Sequence, residues 1–139
     1  MTNKNFFLSI LIVLALSIPT KISADIVGTS DTVIKIAAEP ILTNLLKGFK
    51  NDDYKQYSAD FDASLKESIS AKRFKDTDKQ LEKSFGEYVS REYLGFLNKH
   101  RMTVVLWKGK FEKSKEDVLI KLIISKRGEE HFVTGLWFQ

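Results

Sequence analysis

The apolar positions of the chain change their period near Gly86. Before that residue they recur at spacings of three and four, which is typical of helices with one buried stripe. After it they form short runs rich in aromatic and β-branched residues, which favours strands. Helices followed by strands predict an α+β domain, in which N-terminal helices pack on one face of an antiparallel C-terminal sheet of about four strands.

The first predicted helix runs from Thr32 to about Phe49 and carries a regular apolar stripe. Ser30 or Asp31 can cap it, because a short side chain with an oxygen accepts from the unpaired amides of the first turn. Pro40 lies inside the stripe and is expected to kink or divide the helix, since proline removes an amide donor and crowds the preceding turn.

Two shorter helical pieces are predicted after the turn at residues 51–53. The first is expected to be interrupted near residues 60–62, and the second covers about residues 77–85. The basic segment 72–75 is placed ahead of this last helix and is interpreted as a solvated surface.

The strand-like half of the chain predicts a hairpin closed around residues 113–116, in which Trp107 lies opposite Leu122. Because strand side chains alternate, one face of this hairpin is uniformly apolar or small and should meet the helices. The opposite face is mixed, and its apolar residues are too many to leave in water. These residues are predicted to form an interface: Val104, Leu106, Leu119 and Ile123. Trp137 and Val133 are expected to join them if the last hairpin continues the meander.

The N-terminus has the pattern of an export signal. A polar start with one cation precedes an almost wholly apolar run over residues 6–18, which Pro19 ends, and Ala24 is a small residue at a suitable cleavage position. The run is shorter than the about 20 residues that a membrane-spanning helix needs, although a permanent anchor is the alternative interpretation.

The predicted organisation is therefore a cleaved signal at residues 1–24, a flexible lead-in at residues 25–31 and an α+β domain at residues 32–139. Cleavage would remove Lys4 and Lys21 from the 22 cations and none of the 18 acids, so the net charge would fall from +4 to about +2. A balance this mild argues against nucleic acid as a partner. The chain has no cysteine, which excludes a lipid-modified cysteine anchor and favours the bacterial periplasm or the extracellular space.

The segments 103–112 and 135–138 resemble the domain-of-unknown-function 3887 family, which is placed in the cystatin-like, nuclear-transport-factor-2-like superfamily. Residues 45–54 fit the end of that superfamily's first helix and the turn that follows it. The resemblance covers roughly residues 32–138. It implies a cone, in which a strongly curved sheet wraps around the long first helix and can leave a pocket at its open end, and it implies dimers through the outer sheet face in many relatives.

Within such a cone, four residues are predicted to line a pocket: Trp107, Phe111, Leu122 and Phe138. Packing in an ordinary core is the alternative for each of them, because aromatic residues in strands mostly serve as core.

No catalytic residue, metal or cofactor is predicted. His100 and His131 are the only histidines, and without cysteine they provide too few ligands for a metal site. The apolar hairpin face contains no ionisable group, and neither a Gly-x-Ser-x-Gly motif nor a glycine-rich phosphate loop occurs. Acids beside turns, such as Asp60, Asp62 and Glu87, are more typical of helix caps than of catalysis.

Two functions follow as expectations. The first is an exported, non-catalytic domain that binds a small apolar ligand or an envelope partner inside or across the cone. The second is an interaction module that forms a homodimer or docks a partner through the outer sheet face. A small enzyme is the weakest alternative, because it would need an acid or a histidine inside the cavity.

Overall fold

The computed structural model describes residues 22–139, and most of the predicted export signal lies outside the described residues. Four helices precede a four-stranded antiparallel sheet of order β1-β2-β3-β4, so the predicted α+β class is confirmed. The helices are α1 Asp31–Lys50, α2 Tyr54–Tyr57, α3 Ala63–Ser68 and α4 Ala71–Phe85. The strands are β1 Tyr88–Lys99, β2 Met102–Phe111, β3 Val118–Arg127 and β4 Glu130–Phe138.

Helix α1 begins after Ser30, whose side chain accepts a hydrogen bond from the Val33 amide. It continues through Pro40, so the expectation that Pro40 would divide the helix is wrong. Pro40 and Ile36 both lie on the exposed side of α1. Water can therefore satisfy the Ile36 carbonyl, which loses its usual donor at position 40.

The three remaining helices each begin at a capping side chain, from Asp53, Asp62 and Ser70. The chain breaks between α2 and α3 as the sequence predicts. Helix α4 is longer than predicted, because it takes in the basic segment 72–75, and Phe74 within that segment is fully buried. The segment is therefore one amphipathic turn of helix, whose apolar residue anchors α4 to the core.

The β2–β3 hairpin differs in register from the prediction by two residues. Trp107 lies opposite Ile120 and Val105 opposite Leu122, whereas the predicted hairpin placed Trp107 opposite Leu122. The strand period is two, so a shift of two residues leaves every side chain on its predicted face. Val118 therefore lies opposite Gly109 instead of Phe111, and Phe111 pairs on its other side with Tyr88 of β1.

The inner face of the sheet packs against the helices and forms one core with them. Its residues from β2 and β3 are buried, as predicted: Val105, Trp107, Phe111, Val118, Ile120, Leu122 and Ile124. Val133 belongs to this face as well, with no exposed surface, so its expected place in the outer patch is wrong. A register shift between Ile123 and Ile124 moves the end of the β3–β4 pairing by one residue and turns Val133 inward.

The segment before α1, predicted as a flexible lead-in, contacts the sheet at several points. Asp25 forms a two-way backbone bridge with Lys126, and the buried Val27 donates its amide to the Thr103 hydroxyl at 2.9 Å. The Asn98 side chain donates to the Gly28 carbonyl at 2.8 Å. In residues 22–139, no helix combines the length and the apolar character needed to cross a membrane.

Candidate functional site

The four residues predicted to line a pocket lie in the aromatic core. Trp107 and Leu122 have no exposed surface, Phe111 is almost fully buried and Phe138 is half-buried. The Phe111 and Phe138 rings meet edge to face with centroids 6.0 Å apart, and Phe49 of α1 lies 6.2 Å from Phe138. These contacts are what the alternative of ordinary core packing describes, and a role in ligand binding stays a prediction.

The four residues predicted to form an interface lie together on the outer face of the sheet. Val104 pairs with Ile123, Leu106 and Leu119 sit on the same side, and all four are half-buried. Trp137 lies on this face as expected and is 43 % exposed. Its ring passes directly over Gly135, where a Cβ atom would lie 2.2 Å from the ring, and Lys121 Nζ sits 5.0 Å from its centroid.

A groove of about 500 Å³ opens between α1, α4 and the start of β1. Its volume is in the range of small-molecule sites. Its walls come from α1, α4 and the start of β1. Gly48 of α1 lets α2 pack directly behind the α1 wall, because a Cβ atom there would lie 2.6 Å from the Tyr57 amide nitrogen. None of the four predicted pocket residues lines this groove.

The floor of the groove is apolar. Leu46 and Phe49 reach it from α1 and are buried, while Leu81 of α4 and Tyr88 of β1 are half-buried. Leu46 and Phe49 belong to the apolar stripe of α1. Leu81 lies seven residues, or about two helical turns, after Phe74 and so falls on the same face of α4.

A polar network closes the inner end of the groove. Glu39 of α1 accepts from Arg91 Nη2 at 2.6 Å and from Arg91 Nε at 3.0 Å, and its other oxygen accepts from Trp107 Nε1 at 2.6 Å. The Arg91 and Glu39 side chains are 15 % and 36 % exposed. One carboxylate therefore joins α1 to both β1 and β2, and the pair brings together two partly buried charges.

Arg91 also donates to two hydroxyl groups. Nη1 donates to the Tyr88 hydroxyl at 3.1 Å and Nη2 donates to the Thr43 hydroxyl at 2.7 Å. Burial lowers the pKa of Arg91, but its hydrogen bonds to Glu39 and Tyr88 more than offset this and leave the pKa raised. Arg91 is therefore a cation held by α1 and by Tyr88 at one end of the groove.

Charged side chains surround the opening of the groove. Lys47 and Lys50 are exposed on the α1 side, and the turn after α1, helix α4 and the link between α4 and β1 contribute four carboxylates. These carboxylates are Asp52, Asp78, Glu82 and Glu87. Burial, together with the charges of Asp52 and Glu82, raises the pKa of Asp78. Of these four carboxylates, Asp78 is half-buried and the other three are exposed.

Residues of β1 and α1 carry a signal for this site in the sequence. Arg91 and Tyr93 alternate on β1 in the same way as the apolar residues of β2, and Arg91 pairs with Gly109 on the inner face. Glu39 lies between the buried positions Ala38 and Ile41 of α1. An arginine on an inner strand position and an acid beside a buried helical stripe together predict a paired charge.

A second depression of about 470 Å³ lies on the other side of α1, beside the β3–β4 turn. Its apolar lining includes Ile36, which is 73 % exposed, and its polar lining includes Asp60 and His131. Burial, together with the nearby Lys126, lowers the pKa of His131. This depression is shallow and open, so the groove is the better candidate site.

Asp62 and His100, two further ionisable residues, lie at a helix cap and in a turn. Asp62 caps α3 and lies 3.3 Å from Arg127 Nη2, and His100 sits in the β1–β2 turn with a positive φ of 51°. Within residues 22–139, no group of three or more histidine, aspartate or glutamate side chains could hold a metal ion.

A family model described as "Protein of unknown function (DUF3887)" matches residues 43–125, which is more than half of the chain. The matched stretch runs from the second half of α1 into β3 and contains all the residues that line the groove. No curated protein and no solved structure matches the chain.

Proposed function

The chain belongs to the DUF3887 family of proteins of unknown function, and on that premise we propose that it is an exported, non-catalytic domain that binds a small, largely apolar molecule in the groove between α1, α4 and β1. The observation that carries this proposal is the groove itself, about 500 Å³ in volume with an apolar floor. Sites of this size bury most of a small ligand and take their affinity from apolar contact.

The way the groove is built supports a site that exists before a ligand arrives. Its inner end is held by the Glu39–Arg91 ion pair, and its floor residues Leu46 and Phe49 belong to the buried core of α1. A preformed apolar site costs little ordering free energy when a ligand binds.

Titration with the environment-sensitive dye N-phenyl-1-naphthylamine tests the proposal. We expect saturable fluorescence enhancement at one dye per chain. Leu81→Lys should weaken binding about tenfold, because it puts a charge on the apolar floor. Leu97→Lys is the matched control, since Leu97 lies on the outer face and is 62 % exposed, and it should bind the dye as the wild type does.

Circular dichroism melting curves of both variants would establish that they fold. Dye binding that does not saturate, or that Leu97→Lys weakens as much as Leu81→Lys, would contradict binding in the groove.

Export has a separate test. The N-terminal sequence of the protein recovered from its bacterial host should begin at Asp25, in the periplasmic or extracellular fraction, because Ala24 is the small residue at the expected cleavage position. A full-length chain in the cytoplasmic fraction would overturn this part of the proposal.

A second candidate function is supported by a different observation, the apolar outer face of the sheet. Val104, Leu106, Leu119 and Ile123 lie together there with the 43 % exposed Trp137, and exposed apolar patches mark interaction surfaces. We propose self-association through this face as the alternative. Two of its lysines are already paired within one chain, Lys108 with Glu92 and Lys110 with Asp117, and Lys121 lies over the Trp137 ring, so two copies could meet without separating those ion pairs.

Sedimentation velocity tests the alternative. The wild type should be a dimer and Leu106→Glu a monomer, while Ile36→Glu, at an exposed apolar position on α1, should leave the dimer intact. A wild-type protein that is monomeric at the highest concentration reached would remove this candidate and leave the groove proposal untouched.

A further inference from the structure

The cations around the groove are unequally available to a ligand. Arg91 is engaged by Glu39, Tyr88 and Thr43. Lys75 lies 3.5 Å from Asp52, and Lys113 Nζ donates to the Glu82 carbonyl at 3.2 Å. Lys47 and Lys50 are exposed at the outer rim, where water screens them.

The carboxylates are placed differently. Asp78 is half-buried beside the floor residue Leu81 on α4, and among residues 22–139 it forms no salt bridge. Its neighbours Asp52 and Glu82 carry the same charge, and together with burial they raise the pKa of Asp78. Within residues 22–139, the Asp78 carboxyl group is therefore a partly buried acid at the edge of the apolar floor that no cation of the chain pairs with.

We infer that the molecule bound in the groove is an amphipathic amine, whose ammonium group lies against Asp78 and whose apolar body lies on Leu46, Phe49 and Leu81. The inference rests on the proposed groove function and adds the charge of the ligand. A cation next to Asp78 would gain a half-desolvated partner, and an apolar body would cover the floor. A carboxylate in the same place would instead face the like charges of Asp78 and Glu82.

Three six-carbon probes separate charge from apolar contact: hexylamine, hexan-1-ol and hexanoate. Each would be titrated into the purified protein at pH 7, with amide chemical shifts followed by nuclear magnetic resonance. We expect the largest shifts at Phe49, Leu81 and Asp78. Hexylamine should bind about fivefold more tightly than hexan-1-ol, and hexanoate should bind more weakly than both.

Asp78→Asn should remove the about fivefold advantage of hexylamine while it leaves the affinity for hexan-1-ol unchanged. Asp76→Asn is the matched control on the same helix, because Asp76 is exposed, pairs with Lys72 and does not line the groove. This control should keep the preference for the amine.

The outcomes distinguish the inference from the function on which it rests. Binding of hexan-1-ol in the groove without a preference for hexylamine, or a preference that survives Asp78→Asn, would overturn the inference and leave the groove function standing. Hexanoate binding as tightly as hexylamine would also overturn it. Failure of all three probes to shift the groove residues would overturn both.

Discussion

The inner face of the sheet has two halves of different character. On β2 and β3 it is largely apolar, with the buried Thr103 as an exception, and its residues pack into the aromatic core with no exposed surface at Trp107, Ile120 and Leu122. On β1 the same face carries Arg91 and Tyr93, whose side chains hydrogen-bond to Glu39 and Asp31 of α1. The first half meets the helices through apolar contact and the second through hydrogen bonds and charge.

This difference explains why the groove lies where it does. Apolar side chains fill space by close packing, and the β2–β3 half leaves no room beside α1. Polar side chains instead hold α1 and β1 together at fixed points, and between such points the two elements can remain apart. The groove follows β1 from Tyr88 to Arg91 and ends at the first of these polar links.

The largest effect is expected in the apolar half. Leu122→Ala should lower the free energy of unfolding by about 2–5 kcal/mol, because it leaves a cavity in a packed core. Leu94→Ala is the matched control at a position that is 54 % exposed, and it should change little. Urea unfolding followed by circular dichroism measures both. A small effect of Leu122→Ala would mean that this half is loosely packed and would revive the predicted internal pocket.

In the polar half, removal of Arg91 should cost less free energy of unfolding, and the cost should depend on whether Glu39 is charged. Arg91→Met should cost about 2 kcal/mol, since it leaves the Glu39 carboxylate without its main donor. In the Glu39→Gln background the same substitution should cost about 1 kcal/mol less, because no charge is then left unpaired. A double-mutant cycle from urea unfolding measures the difference. Strictly additive costs would contradict the view that this pair holds α1 to β1.

The smallest effect is expected at the wall of the groove and has the opposite sign. The pKa of Asp78 is raised, so its ionisation opposes folding, and this penalty is absent below the usual aspartate pKa and complete above the raised one. After screening by water, Asp78→Asn should raise the free energy of unfolding by at most about 0.5 kcal/mol at pH 7.

At pH values near 3 the variant and the wild type should be equally stable, because the wild-type side chain is then protonated in both states. Chemical unfolding of both proteins at the two pH values measures this. Destabilisation by Asp78→Asn at pH 7 would mean that the carboxylate has a stabilising partner.

The apolar and polar halves of the sheet also differ in how well they could be predicted from the sequence. The apolar half was predictable, because alternation alone decides which residues of β2 and β3 point inward, and an even error in register does not change that assignment. Helix α1 was predictable from its stripe, whereas its continuity through Pro40 depends on the exposure of that residue and of Ile36. The reach of α4 back to Ala71 was missed because a single apolar residue, Phe74, sits among three cations.

The candidate site was harder to predict, because its residues are distant in sequence. Glu39 and Arg91 are 52 positions apart and meet only when α1 crosses β1. Each residue alone is typical of a solvated surface, and only the packing of the two elements turns them into a pair. Leu81 likewise becomes part of the groove floor only because the fold places β1 opposite it.

The ring of Trp137 lying over Gly135 has a practical consequence for observing the molecule. The chain contains two tryptophans, one on each face of the sheet, and only Trp107 is sealed in the core and hydrogen-bonded to Glu39. Trp137→Phe would leave an emission spectrum that reports the interior alone, whereas quenching by added iodide in the wild type selects the outer indole. Intrinsic fluorescence can therefore follow events at the two surfaces of the sheet as separate signals, without any attached label.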